Sequence, residues 1–363
     1  MIKCRLTVNK VKGEKKKTYL PITIKYSPIR KLALIPFEKH PDTIYRGFEL
    51  QFIDGQPHGT GYRVLGYRND NFVDVYDDVA LKFIEDEKFN VAENGLKEHV
   101  QTPISNVRFC KADGNQVINF EFADIQNRKI SVHIEERAKK KSKTMNILAP
   151  IGAGSKKPEY LPVFFLYDFD LMRKSKSIVS CNIDGKDVEI DSFPIPMGGQ
   201  PRLYARYSNE CELFEFAVTS MTELQEIELN EDKIFRDGNV EYLFDDKNCL
   251  QKVTVYFGEQ DVQIFFDCGL RLDKSCTGKF SIKPREQMGY IQGEYSVECK
   301  NDTAIFKLEP KCGWVSKPDS FMTKLILGKK SVFCTWSKKY VYEAKIDLIT
   351  KKIEASWKNG NLK

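Results

Sequence analysis

Short segments in which apolar and polar residues alternate, cut apart by Asp-Gly and Asn-Asp turns, restrict this chain to antiparallel β structure. The clearest case is near the C-terminus. Tyr342, Ala344, Ile346 and Leu348 alternate with Glu343, Lys345 and Asp347, and Ile353, Ala355 and Trp357 continue the period. A period of two places one face in a core and the other in water. Residues 129–135 and 251–257 alternate in the same way, and 262–266 (VQIFF) is a more deeply buried strand. The turns are Asp54-Gly55, Asn69-Asp70-Asn71, Asp113-Gly114-Asn115, Asp184-Gly185, Asp237-Gly238-Asn239, Asn301-Asp302 and Asn359-Gly360. Asp-Gly suits a tight hairpin because the favoured type I′ turn needs positive φ at both central residues. Strands at such short spacing form meanders.

At 363 residues the chain exceeds the usual size of one core, so two units are expected. Burial is not limiting, since 41% of residues are hydrophobic, and the 24 Phe and 16 Tyr suit pleated, half-buried surfaces. The best linker is residues 138–162, where lysines and Pro150, Pro158 and Pro162 interrupt the periodic pattern. The expected fold is all-β: two consecutive antiparallel β-barrel-like units, an N-terminal β domain of residues 1–160 and a C-terminal β domain of residues 161–363. The segment after the linker helps to join them. A faint echo, Asp113-Gly114-Asn115 before Val117 and Asp237-Gly238-Asn239 before Val240, fits duplication and shared hairpin chemistry equally well. Residues 78–88 and 222–233 fit a short helix or a strand.

The net charge of +6, from 57 basic and 51 acidic residues, is too small to imply nucleic acid. The basic runs Lys15-Lys16-Lys17 and Arg137 to Lys143 lack the interleaved aromatics of a single-strand stacking platform and read as solvated turns or linker. Ten cysteines stand singly from Cys4 to Cys334, without the close pairs of zinc or redox motifs. They are expected to be mostly buried, reduced thiols. Neither a leader-like apolar core nor a bilayer-length apolar stretch is present, so the expected setting is cytoplasmic, with no transmembrane segment.

Motifs for chemistry fail one by one. No two of His40, His58, His99 and His133 share a metal-ligand spacing, so no metal is expected. His133 lies on the polar side of its strand, and His58 is a loop residue. Residues 151–156 (IGAGSK) lack phosphate-loop spacing, and Gly59-Thr60-Gly61 lacks the third glycine of a dinucleotide fingerprint. No Gly-x-Ser-x-Gly elbow occurs, and no cysteine has an identifiable histidine partner. Catalytic residues stay unassigned and no cofactor is expected.

Residues 161–207 carry the densest pattern. As a strand, Val163, Phe165, Tyr167, Phe169 and Leu171 share one face, while Asp168 and Asp170 share the other with Phe164 and Leu166. Further on, Arg202, Tyr204, Arg206 and Ser208 share a face opposite Leu203, Ala205 and Tyr207. If those guanidinium groups are buried they need partners, because an unpaired buried charge costs several kcal/mol. Asp168 and Asp170 are candidates, as is an anionic ligand group. The expected ligand-binding set is therefore Tyr167, Asp168, Asp170, Arg202, Tyr204 and Arg206; the simpler alternative is a solvated or ion-paired face.

The same segment, with its aromatic strand, a hairpin at residues 182–186 (NIDGK), a Pro/Gly-rich turn and a second aromatic strand, resembles the tandem-lipocalin group of carotenoid hydratases and AttH-like proteins. That resemblance implies two consecutive calycin-like barrels handling hydrophobic compounds. The group's usual Trp-Asp-Trp cluster is replaced here by residues 193–200 (FPIPMGGQ), so no acidic catalytic residue carries over. Binding or modification of a lipophilic small molecule in a β-barrel cavity is the first expectation. The second is a carbohydrate-active or carbohydrate-binding β sandwich with Trp314, Trp336 and Tyr340 as sugar platforms, against which stands simple core packing of those rings. The third is a non-catalytic interaction protein. Oligomeric state is not readable.

Overall fold

Strand alternation governs the architecture from end to end, as seen in a computed structural model that describes residues 17–39, 42–85, 95–139, 143–151, 158–328 and 338–359. The described chain is almost all β, with curled sheets, one of them a half-barrel. The first strands are β1 (Lys17–Tyr19), β2 (Ile24–Ser27), β3 (Ile29–Pro36), β4 (Tyr45–Gly55), β5 (Gly59–Arg68), β6 (Phe72–Asp77) and β7 (Gly95–Gln101). There follow β8 (Ser105–Ala112), β9 (Asn115–Ala123), β10 (Lys129–Glu136), β11 (Met145–Leu148), β12 (Leu161–Arg173), β13 (Ser177–Ile183) and β14 (Lys186–Asp187). Next come β15 (Ser192–Met197), β16 (Gln200–Ser208), β17 (Glu210–Phe216), β18 (Glu226–Glu228), β19 (Ile234–Asp237), β20 (Val240–Phe244) and β21 (Leu250–Phe257). The last are β22 (Gln260–Leu270), β23 (Cys276–Lys283), β24 (Tyr290–Lys300), β25 (Thr303–Val315), helix α1 (Phe321–Leu327), β26 (Tyr340–Asp347) and β27 (Ile353–Asn359).

The expected turns close hairpins between β5 and β6, β8 and β9, β13 and β14, β19 and β20, and β24 and β25. At Asp113-Gly114 both φ angles are positive, 51° and 75°. A type I′ turn requires this. Gly360 lies outside the described residues. Strands β19 to β27 pair strictly in sequence, making a nine-stranded meander that contains the β26–β27 hairpin anticipated from Tyr342 to Trp357.

One long strand ties the layers together. The first half of β12 pairs with β17, Leu161 opposite Phe216 through Tyr167 opposite Glu210, and its second half pairs with β16, Asp170 opposite Tyr207. Beyond them β2 flanks β17 and β3 flanks β16, and the sheet continues through β4, β5 and β6 to the parallel edge strand β7. Strand pairing thus runs across residue 160, since β13 also pairs with β10. The region expected to be a linker contains β11, and Pro162 sits near the start of β12; residues 140–142 and 152–157, which include most of the 151–156 turn, lie outside the described residues.

Each half of this sheet covers a different partner. The β2–β12–β17 half shares a core with the apolar face of the meander, where Phe216 stacks on Phe280 at 5.8 Å and Trp357 donates Nε1–H to the Ala217 carbonyl at 2.7 Å. The β3–β6 half, with β16, shares a second core with the five-stranded sheet β14–β13–β10–β9–β8, and Phe48 meets Phe122 edge-on at 5.7 Å. Burying each such ring contributes roughly 1.5–3 kcal/mol.

Among the described residues neither ambiguous segment is helical. Residues 78–85 form a turn, with Leu81 N–H donating to Asp78 O at 2.9 Å, and residues 86–88 lie outside the described residues. Within 222–233, Glu226 and Glu228 are exposed while Ile227 and Leu229 are buried, the period of a strand, and β18 pairs there with β1. The helix that does form, α1, is capped by the Ser320 hydroxyl, which accepts from Thr323 N–H at 3.1 Å. No helix among the described residues is long and apolar enough to cross a membrane. The described cysteines are free thiols, but only Cys181, Cys211 and Cys249 are buried; Cys110 is exposed on the outward period of β8, and Cys268 and Cys312 are exposed where the alternation of β22 and β25 breaks next to Gly269 and Gly313, both at positive φ. Cys4, Cys334, His40, Lys15 and Lys16 lie outside the described residues.

Candidate functional site

The six residues singled out from the sequence go to different places. Asp168 and Asp170 do not share a face. Asp168 takes a left-handed backbone, φ 52°, which breaks the alternation of β12 and turns its carboxylate outward onto Lys111 Nζ at 2.9 Å and Thr144 Oγ1 at 2.9 Å. Asp is one of the few residue types that visit this region. Asp170 is fully buried and meets Arg202 Nη1 at 3.4 Å, while the same nitrogen donates to Leu171 O at 2.7 Å. That is the pairing anticipated for one of the two arginines. Alternation along β16 also holds, because Leu203, Ala205 and Tyr207 enter the core that β3–β6 share with the five-stranded sheet. Arg206 stands over the Tyr204 ring at 5.2 Å, and its charge acts on Glu49, a carboxylate that burial pushes up and that accepts from Gln51 and from Tyr67 at 2.8 Å.

Beside Asp170 lies a salt bridge the sequence does not announce. Arg173 Nη2 meets Glu136 Oε2 at 2.8 Å, and both side chains are 1% exposed. The Glu136 carboxylate also accepts from the backbone N–H groups of Arg173 at 2.9 Å and Gln116 at 3.3 Å, tying β12 to β9 and β10. A third buried group joins β5, β6 and β7: Asp77 accepts from Arg63 Nη2 at 3.0 Å and contacts His99 Nε2 at 2.9 Å. Burial pushes the Asp77 carboxyl up, but the bonds from His99 and Arg63 prevail and hold it below its ordinary value. No described cluster of His, Cys, Asp and Glu could hold a metal ion. His58 is buried and His133 is half-exposed on the outward face of β10, as its strand position implied.

Tyr167 leads to the most open constellation. Its hydroxyl donates to Glu212 Oε2 at 2.6 Å, and Arg285 lies over its ring at 4.1 Å. Arg285 reaches from beyond β23 to Glu212 Oε1 at 2.9 Å and Glu210 Oε1 at 2.5 Å, bridging the meander to β17. Burial raises the Glu212 carboxyl, against the pull of these partners. On the outer side of Arg285 a groove of about 630 Å³ is lined by Gln260, Asp261, Gln263, Lys283, Pro284, Arg285 and Gln287. A second, of about 360 Å³, is lined by Arg236, Gly238, Val240, Glu241 and Tyr256. Both are open to solvent, and the first is largely polar.

Two of the three expected sugar platforms are core rings instead. Trp314 and Tyr340 are buried, Trp314 donating Nε1–H to Met288 O at 2.9 Å, because both rings lie on the core face of their strands; Trp336 lies outside the described residues. The exposed rings on the meander are Tyr256 and Tyr290, each 37% exposed. Their signal was in the sequence as outward members of alternating strands, on the face opposite Val255 and Ile291. No family model matches the chain, and no curated protein and no solved structure matches it.

Proposed function

We propose that the protein is a non-catalytic binding protein whose groove beside Arg285 takes a neutral, polyhydroxylated ligand of the carbohydrate class. The observation that carries this reading is the lining itself: three glutamine amides, one carboxylate, one ammonium and one guanidinium group around an open space of about 630 Å³. Amides and carboxylates offer paired acceptors and donors to neighbouring hydroxyl groups. Charge favours a neutral ligand, because Asp261 offsets Lys283 and Arg285 is already matched by Glu210 and Glu212. A lipophilic ligand calls for a mostly apolar, enclosing pocket. The apolar faces here pack against one another. We also read the two layered units as opened relatives of the tandem-lipocalin plan; what supports it is the strict up-and-down order of β19 to β27, the order of an up-and-down barrel.

Saturation-transfer NMR with a mixture of neutral mono- and disaccharides, run beside a panel of fatty acids and prenyl lipids, tests the reading. Saccharide signals that disappear in Asp261→Ala are expected. Binding confined to the lipids, or saccharide signals indifferent to Asp261→Ala and Gln287→Ala, would reject it.

A further inference from the structure

The two grooves lie on one face of one meander and touch. Asp261, in the first, is the register partner of Tyr256, in the second. One pleat away a polar row crosses the strands without a break: Arg236 opposite Glu241, Glu241 opposite Thr254, Thr254 opposite Gln263, and Gln263 opposite Lys283. These are the outward positions of β19 to β23, the residues between Val253 and Val255 or between Val262 and Ile264 whose neighbours fill the core. Four steps at the usual strand spacing make the row roughly 19 Å long. In its middle Thr254 is 2% exposed and its hydroxyl has no hydrogen-bond partner among the described residues. Its cross-strand neighbours on that face are Glu241 and Gln263.

Resting on the reading above, we infer that the two grooves form one trough for a linear, neutral carbohydrate chain running across the strands, with Tyr256 as the stacking ring where the second groove meets the first. Length is the first argument, since a trough of this span exceeds what a mono- or disaccharide covers. Charge is the second. Arg236 is paired with Glu241 at 2.6 Å, and Asp261 offsets Lys283, so the trough has no surplus of either sign with which to hold a polyanion. Tyr256 supplies the third, an aromatic ring exposed beside Glu241, where a sugar face can stack while its hydroxyls reach the carboxylate.

A glycan array carrying neutral and anionic chains from monosaccharides to octasaccharides separates the outcomes. The wild-type protein is expected to bind neutral chains with affinity that climbs with length and levels off once the trough is filled. Tyr256→Ala should weaken the longest chains about tenfold and leave disaccharides unchanged. Binding that does not depend on length, or equal losses for short and long chains in Tyr256→Ala, overturns the trough while leaving the groove beside Arg285 intact. Binding of anionic chains alone overturns the neutral ligand class, and an array without any bound chain overturns the carbohydrate reading as a whole.

Discussion

Replacing Arg173 by Met should be among the most destabilising single changes in the protein, and replacing Glu136 at the same time should undo most of the damage. Both side chains are 1% exposed and meet at 2.8 Å. Removing the guanidinium alone leaves a buried carboxylate held by two backbone N–H groups and without its counter-charge. Such a defect costs about 3–5 kcal/mol. With a denaturant sensitivity of about 3 kcal/mol per molar urea for a chain of this size, the unfolding midpoint should fall by roughly 1–1.7 M. Glu136→Gln alone takes the Glu136 charge away from Arg173 and leaves it the weaker attraction of Asp170. In the double variant neither charge of the pair remains, and the introduced glutamine keeps an amide oxygen that can accept from one of the two backbone groups. The coupling energy across the cycle should therefore reach about 2 kcal/mol or more. Urea titrations of the four proteins at neutral pH, followed by circular dichroism, give this number directly. If the double variant loses as much as the two single variants added together, the pair is not a coupled buried salt bridge and the account of how β12 is fastened to β9 and β10 fails.

Two further outcomes follow from other buried groups. The depressed carboxyl of Asp77 contributes stability that is present above its unfolded value of about 3.9 and is lost as pH falls through its lower folded value. Asp77→Asn should accordingly lower the urea midpoint at pH 7 and shrink the difference between pH 7 and pH 3; an unchanged difference would show that other carboxylates carry the acid response. Burial pushes the Cys181 and Cys211 thiols up to about 12, whereas Cys110 and Cys312 are exposed. Brief alkylation of the native protein at pH 8, read by peptide mass spectrometry, should label the exposed pair and spare the buried pair, and labelling of Cys211 without denaturant would contradict its place in the core.

Much of the fold is legible in the sequence because hairpins are local. Asp113-Gly114 needs only its own backbone angles to turn the chain, and Tyr342, Ala344 and Ile346 need only a period of two to declare their buried face. Pairings between distant segments carry no such mark. Nothing in residues 161–173 reveals that the strand changes neighbour midway from β17 to β16, since that depends on the left-handed turn at Asp168, a conformation most residues avoid and Asp tolerates. The same residue explains the error over faces: alternation predicts that Asp168 and Asp170 point together, and one positive φ sends them apart.

The candidate site was less legible still, for a related reason. Tyr167, Glu212 and Arg285 are far apart in the chain, and they meet because β12 pairs with β17 while the segment leaving β23 packs over both. Charge pairing that closes over such distances depends on register, which the hydrophobic pattern fixes only after the strands have found one another. The trough differs from this. Its members are the outward residues of consecutive strands, and the tight turns at Gly238 and Gly258 by themselves align two of its pairs, Arg236 with Glu241 and Thr254 with Gln263. A meander turns sequence order into spatial order, and so the outer face of β19 to β23 is written along the sequence as the polar member of each alternating pair.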